Sequence, residues 1–516
     1  MSDKKKNAAG TISIVMIITL LGKVLGLFRD RLLTINYGAT TVTDAFLTAS
    51  RIPRVFFDAV FASAITASFI PVFNELMAKE GKKKAFSFSS NFISIISLLT
   101  AILSIIGMGL APVLVDKVFA PEYAAETKAL CAELTRILFP TMLFTGIAYS
   151  FIGILQSMGE FNLPAFISVV SNGIIIIYYY TLNDRFGIYG LAVAFLIGWL
   201  AQALVQIPKL NKLGYSYKPC FSFNNPDMKK VFFLMLPVMV STWVQPINLT
   251  INTAFASSLE EGSVSAIEYS NNLYMMIAGI FILSVMNVIF PKMAKQSAED
   301  DKESFRETIR STMHSSIYFV MPMTAGLMAL ATPIISIIYG GGKFTEKEIA
   351  LTSGALVFMA LGMIGYAMSQ VLNRVYFASQ NAKVPLISSI ISIAVNVILC
   401  LLLTKPFGIV GLAVSTSLAT IVNGIVLAIP LKKFNVTFID KNFILDFVKI
   451  TLASLVMGLT VYFGAEFILG HLSGKTGDII ACCVTGIIGV IIYFVLTTLF
   501  KLEETKTALS LIKRKK

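Results

Sequence analysis

Lys23, Arg29 and Arg31 sit in one long apolar stretch, TISIVMIITLLGKVLGLFRDRLL, and Arg51 and Arg54 sit in the next, DAFLTASRIPRVFFDAVFASAIT. Only Asp30, Asp44 and Asp58 stand against them. A cation at the centre of a lipid-facing helix costs about 2.5–3.5 kcal/mol on insertion scales. Lys23 lies near the middle of its segment, too deep to reach either surface comfortably. A chain that keeps it there turns it toward a watery, protein-lined space, and the simplest cargo for a cationic space is an anion. Arg would offer a phosphate forked contacts and Lys a point charge. On the 3.6-residue period Lys23 and Asp30 share a face, with Arg29 about 120° away. Gly22 and Gly26 flank Lys23 at the spacing that permits close helix approach or a local break. Arg51, Arg54 and Asp58 fall at i, i+3 and i+7, with Pro53 placed to bend their helix. Blander readings stand beside these: Arg29 and Arg31 as markers of a helix end, and Arg54 with Asp58 as a structural i,i+4 pair.

The elements that must position these residues are membrane-spanning helices. The chain has 516 residues, 56% hydrophobic and 14% charged, with a mean hydropathy of +0.78. A soluble protein of this size would carry about 25% charged residues. Apolar runs near the spanning length of about 20 residues recur from end to end, and nothing alternates as membrane β-strands do. About fourteen spans follow, roughly 11–34, 43–77, 86–114, 129–157, 162–182, 188–208, 229–257, 265–291, 307–338, 349–377, 384–404, 408–430, 444–469 and 477–500. Alternate links are rich in lysine, from Lys4–Lys6 through Lys79–Lys84 and Lys209–Lys230 to the tail Lys513–Lys516. The positive-inside rule puts these links and both termini in the cytoplasm. Lys4–Lys6 precede an apolar run with no small-residue cleavage site, so a retained first helix is expected.

The chain also repeats itself. Phe186-Gly-Ile-Tyr-Gly-Leu-Ala-Val returns as Phe407-Gly-Ile-Val-Gly-Leu-Ala-Val, with 407 − 186 = 221, and Pro164 and Pro385 share that offset. Ile70-Pro71 and Phe290-Pro291 are 220 apart. Six spans separate equivalent points, and an even number preserves orientation. The expected fold is an all-α polytopic membrane protein: two parallel six-helix lobes around a central cavity, plus two extra C-terminal helices. The expected boundaries are 1–210 for the first lobe, 211–228 for a cytoplasmic connector, 229–433 for the second lobe, 434–500 for the extra helices and 501–516 for a basic tail. Two lobes around a cleft suit alternating access, with a site near the midplane. The second lobe offers amides instead of cations (Gln245, Asn248, Asn252, Asn271 and Asn272), so the anion-binding duty falls mainly on the first.

Other chemistries find little material. The net charge of +13 lies in links between spans, which suits topology and anionic lipid heads rather than nucleic acid. Cys131, Cys220, Cys400, Cys482 and Cys483 form no CxxC, and His314 and His471 are the only histidines. No zinc or haem site is expected from them. Gly340-Gly-Gly-Lys343 lacks the spacing of a phosphate-binding loop. Glu260-Glu261 and Asp300-Asp301 are isolated loop acids, not a catalytic cluster, and no enzyme is expected.

Several segments together resemble the lipid II flippase family (MurJ, MviN), within the superfamily of multidrug and oligosaccharidyl-lipid exporters. They are Leu21-Gly-Lys-Val-Leu-Gly-Leu-Phe-Arg-Asp30, Tyr37-Gly38, Thr43-Asp-Ala-Phe46, Ile52-Pro53, Phe69-Ile-Pro71 and Leu134-Thr-Arg-Ile-Leu-Phe-Pro140. Further along come Asn162-Leu-Pro-Ala165, Asn252-Thr-Ala-Phe255, Gly262-Ser-Val-Ser265, Tyr376-Phe-Ala-Ser-Gln380 and Pro385. No single piece is specific; the ordered set is. The resemblance implies transport of an anionic undecaprenyl-pyrophosphate-linked cell-wall precursor from the inner to the outer leaflet of a bacterial plasma membrane. The runner-up is export of another polyprenyl-linked saccharide or a drug.

The family's cavity residues match Lys23 (usually Arg there), Arg29, Asp30 and Asp44. Its second-helix arginine falls on Phe57, with Arg54 one turn earlier as a substitute and Arg51 on the same helix. Its eighth-helix arginine falls on Asn272. An acidic sodium ligand of some members has only Asn248 and Asn252 in its place, with Asn396 later. These three are the weak metal candidates, and no cofactor is expected beyond dependence on membrane potential or a monovalent ion. The last two helices match the family's lipid-tail groove. The expected partners are the lipid substrate and membrane lipids, with no nucleic acid, and the chain is expected to act as a monomer.

Overall fold

The computed structural model describes residues 2–57, 68–242, 244–299, 301–379, 381, 383–434 and 441–505. Asp58, Asp300, Gln380 and the basic tail Lys513–Lys516 lie outside them. Among the described residues the chain is helical, the only β-type pairing being a bridge between Gly341 and Phe344. It forms two compact units, Met1–Gly262 and Ser263–Lys516.

The first unit holds α1 (Ser2–Tyr37), α2 (Thr41–Phe57), α3 (Ile70–Lys79), α4 (Lys82–Leu114), α5 (Ala125–Leu138), α6 (Thr141–Ser157), α7 (Asn162–Thr181), α8 (Asn183–Leu204), α9 (Ile207–Lys212), α10 (Pro226–Thr242) and α11 (Val244–Ala256). α1 packs on α7, α7 on α8, α2 on α5 and α4 on α6. α2 runs as one helix through Pro53 to Phe57. The preceding turns hold the helix against the missing hydrogen bond. The link after α9 lies along α4: Tyr215 and Tyr217 hydroxyls meet Ser90 and Ser94 at 3.2 and 2.8 Å, and Asn91 exchanges hydrogen bonds with the Ser222 backbone.

The second unit holds α12 (Ser263–Ala298), α13 (Lys302–Ala329), α14 (Ala331–Tyr339), α15 (Glu346–Ala360), α16 (Gly362–Ala378), α17 (Lys383–Ala428), α18 (Lys441–His471) and α19 (Gly474–Leu499). α12 continues past Pro291 to Ala298, so that proline does not end its helix. The two extra helices, α18 and α19, pair with each other, and α18 packs on α13. After α19 the chain turns back: Leu502 and Thr505 are buried, and the Thr505 hydroxyl meets that of Tyr318 at 3.0 Å. Glu504 Oε1 lies 3.4 Å from His314 Nδ1. That hydrogen bond holds the Glu504 carboxyl below the ordinary carboxylate range despite burial.

Among the described residues seven helical stretches are long and apolar enough to cross a membrane, nine when each bent pair counts as one span. Their burial pattern is that of a chain in lipid. Ile444, Leu445, Leu452, Leu455, Leu459 and Phe463 of α18 point outward. Hydroxyls are turned inward and bonded to their own helix, as Thr100 to the Ile96 carbonyl, Thr145 to Thr141 and Ser150 to Gly146.

The internal repeat is written into the backbone. The helix bounds Ala125, Ser157 and Asn162 return at Glu346, Ala378 and Lys383, and 346 − 125, 378 − 157 and 383 − 162 all equal 221. Gly187 and Gly408, also 221 apart, adopt the same left-handed break, with φ of 53° and 57° and ψ of −143° and −136°. Only glycine takes that conformation without strain. α5 gives way to α6 at Pro140, where a proline cannot continue the ladder. At the corresponding place α15 and α16 meet at 44° with no proline.

Candidate anion-binding site

α1 carries its cations because glycines bring it against α7. A Cβ on Gly22 would stand 2.3 Å from Ser168 Oγ, and one on Gly26 3.6 Å from Asn172 Nδ2. Asn172 itself donates to the Gly22 carbonyl at 3.1 Å. α7 is locked in turn to α8, since Gln202 Nε2 donates to Ser171 Oγ at 2.8 Å.

On this platform Arg29 is fixed from three sides. Its Nε and Nη2 donate to Asp30 Oδ1 at 3.0 and 2.7 Å, and Nη1 donates to Asn172 Oδ1 at 3.2 Å. The guanidinium also stands 5.2 Å from the centroid of the Phe195 ring on α8. The Arg29 and Asp30 side chains are 27% and 14% exposed, so the pair is mostly withdrawn from water yet still reachable. It is formally neutral. An anion arriving here must share Arg29 with Asp30 and Asn172.

Lys23 is exposed and has no ion-pair or hydrogen-bond partner among the described residues. On α2, Arg51 Nη1 donates to the Thr253 hydroxyl on α11, while Arg54, one turn on, is exposed. Asp44 is buried and accepts from the Gly262 backbone N–H at 2.9 Å. Beside it, the Thr41 N–H donates to Glu261 Oε1 at 2.7 Å. Asp44 therefore fixes the start of α2 and does not present a free carboxylate. Arg51 thus reaches α11, while Lys23 and Arg54 present exposed cations.

Asn272 lies half-buried on α12 of the second unit. Asn248 and Asn252 sit on α11 of the first unit, Asn252 buried, and Asn396 is fully buried on α17 of the second, accepting from Cys400 Sγ at 3.6 Å. Among the described residues no group of three or more His, Cys, Asp or Glu side chains could hold a metal ion.

Asn172, Phe195 and Thr253 were not picked out from the sequence. Asn172 carried a usable signal, since Ser168, Ser171 and Asn172 form an i, i+3, i+4 polar face within an apolar span. Thr253 lay within the Asn252-Thr-Ala-Phe255 segment without being singled out, and Phe195 carried no signal, being an ordinary residue of its helix.

A family model described as "Lipid II flippase MurJ" matches residues 35–502. The chain is 28% identical over 491 residues to a protein of Bdellovibrio bacteriovorus described as a probable lipid II flippase MurJ, covering 94% of this chain and 93% of that one. Against the Thermotoga maritima protein of the same description it is 28% identical over 512 residues, covering 99% of each. A solved structure, "Lipid II flippase MurJ, inward closed conformation", aligns with a TM-score of 0.80 at 28% identity, over 94% of this chain and 98% of that one. An inward-facing multidrug transporter of the MATE family aligns with a TM-score of 0.65 at 14% identity, over 82% and 98%, a likeness of fold alone.

Proposed function

Because the chain belongs to the lipid II flippase MurJ family, we propose that Lys23, Arg29, Arg51 and Arg54 form the electrostatic seat for the pyrophosphate of its cargo. The protein is a multi-pass membrane transporter, not an enzyme, and it flips lipid II by alternating access. The observation that carries this function is the family match along residues 35–502, joined to the structural likeness at TM-score 0.80.

In the mechanism we propose, both termini are cytoplasmic and one chain acts alone. The inward-open state offers Lys23 as a point charge and Arg29 as a fork. Asp30 and Asn172 hold that fork in a fixed orientation for the substrate. Arg51 and Arg54 extend the positive surface along α2, and Asp44 keeps that helix in place. Asn272, where the family carries an arginine, is the neutral polar candidate of the second lobe. Sugars and peptide lie in hydrated space, while the polyprenyl tail stays in lipid along α18 and α19. Neutralising the cations lowers the cost of burying them and lets the lobes close and reopen outward. An inside-negative potential worth about 2.3 kcal/mol per charge per 100 mV favours outward passage of the anion. No cofactor is needed; a monovalent ion at Asn248, Asn252 or Asn396 is the weaker route to coupling.

Depletion of the resident flippase in a bacterium, with this chain supplied in trans, tests the function. Restored growth and lipid II reaching the outer leaflet are expected. Failure to restore growth, with success in a polysaccharide-export assay, would move the assignment to that cargo class.

A further inference from the structure

We propose that a groove on the first unit binds an anionic diacyl phospholipid with a hydroxylated headgroup, of the phosphatidylglycerol type, as a site separate from the transport cations. The groove encloses about 410 Å³ between α1, the start of α7, and α9 with the residues before it, within the usual size of small-ligand sites of roughly 300–1,000 Å³. Ile18, Leu163, Phe166 and Val205 form an apolar wall, and Phe166 and nearby Phe161 are themselves exposed. Such a wall suits the first methylenes of acyl chains.

At the other side stand Lys209 and Lys212, three apart on one face of α9. Lys209 Nζ is 2.5 Å from Glu160 Oε2. Lys212 is exposed and has no ion-pair partner among the described residues. Two lysines against one glutamate leave the groove a net positive charge. Between the wall and the charges, Asn162 Oδ1 is buried with no hydrogen-bond partner among the described residues. A buried acceptor without a donor costs about 1–3 kcal/mol.

One ligand answers all three features. Its phosphate sits against Lys212 and Lys209, a headgroup hydroxyl donates to Asn162 Oδ1, and its chains run along the apolar wall. Basic pockets between membrane helices favour anionic headgroups in this way. The site rests on the membrane-spanning reading and on the Lys-rich ends facing the leaflet that supplies the lipid, not on the identity of the cargo.

Purified full-length protein in detergent, titrated with dioleoylphosphatidylglycerol, dioleoylphosphatidylcholine or undecaprenyl phosphate and read by native mass spectrometry, tests it. One phosphatidylglycerol should be retained in preference to either alternative. Lys212→Glu should weaken that retention at least about fivefold, while Lys229→Glu, outside the groove, leaves it unchanged. Asn162→Ala should lower retention of phosphatidylglycerol but not of dioleoylphosphatidic acid, which has no headgroup hydroxyl. Equal retention of phosphatidylcholine, indifference to Lys212→Glu, or preference for undecaprenyl phosphate would overturn the proposal. A chain that fails to complement a flippase deficiency yet retains phosphatidylglycerol loses the cargo assignment and keeps this site.

Discussion

Arg29 places two of its N–H groups on a single oxygen of its own neighbour, Asp30, at 3.0 and 2.7 Å. Residues one apart on a helix do not ordinarily face each other. The pairing is held because Asn172 takes a further N–H from the opposite side, so the guanidinium is oriented before any anion arrives. Arg29→Lys keeps the charge but loses the fork. It should lower complementation well below wild type while the protein still reaches the membrane. Lys23→Ala and Arg29→Ala should each abolish growth rescue at unchanged expression, read by immunoblot of membranes. Normal growth of both would remove these residues from the site.

Asp44 and Gly262 lie 218 residues apart and join the start of α2 to the turn after α11. Asp44→Ala leaves a buried N–H unsatisfied and should destabilise by about 1–3 kcal/mol, whereas Asn at that position keeps an acceptor and should cost less. Gly262→Ala should be worse still, since φ there is +88° and its Cβ would meet the Ala39 carbonyl oxygen at 2.4 Å. Thermal unfolding in detergent by tryptophan fluorescence would rank the three.

Two glycines in the second unit should respond in opposite directions. A Cβ on Gly365 would stand 2.5 Å from backbone atoms of Ile421, which no rotamer change can relieve, whereas one on Gly354 meets nothing within 4 Å. Gly365→Ala should lower the melting temperature, at a cost of about 1–3 kcal/mol. Gly354→Ala, inside α15, should raise it by up to about 1 kcal/mol equivalent. A fall in both would mean that the α15 position is not open.

The fold-back after α19 should depend on pH. Glu504 has a folded-state pKa below its ordinary 4.5. Its contribution to stability is therefore full above about pH 4.5 and is lost as the pH falls through the lowered folded value. The melting-temperature gap between wild type and Glu504→Gln should be open above about pH 4.5 and close as the pH falls further. A gap that stayed open well below pH 4.5 would contradict the lowered Glu504 carboxyl.

Much of this was readable in the chain because lipid imposes a blunt rule: long apolar segments become helices, and a buried cation demands a reason. The Gly22 and Gly26 spacing anticipated the close approach of α1 to α7. Periodicity placed Arg29 away from Asp30, correctly for the Cβ directions and wrongly for the charge, because a long side chain can curl back to its neighbour. Asn172 was out of reach since it lies 143 residues from Arg29, and no local pattern pairs them. The spans 129–157 and 349–377 were each read as unbroken; the first breaks at Pro140 and the second, 221 residues on, at Leu361, where no proline stands.

That offset doubles as a subtraction. Ser168 and Ser171, which face α1 and α8, reappear as Ser389 and Ser392, but Asn172 becomes Ile393. Whatever survives duplication is architecture; whatever differs has been released to specialise. Overlaying one copy on the other thus sorts side chains that keep the shape from those that meet the cargo, with no second sequence required.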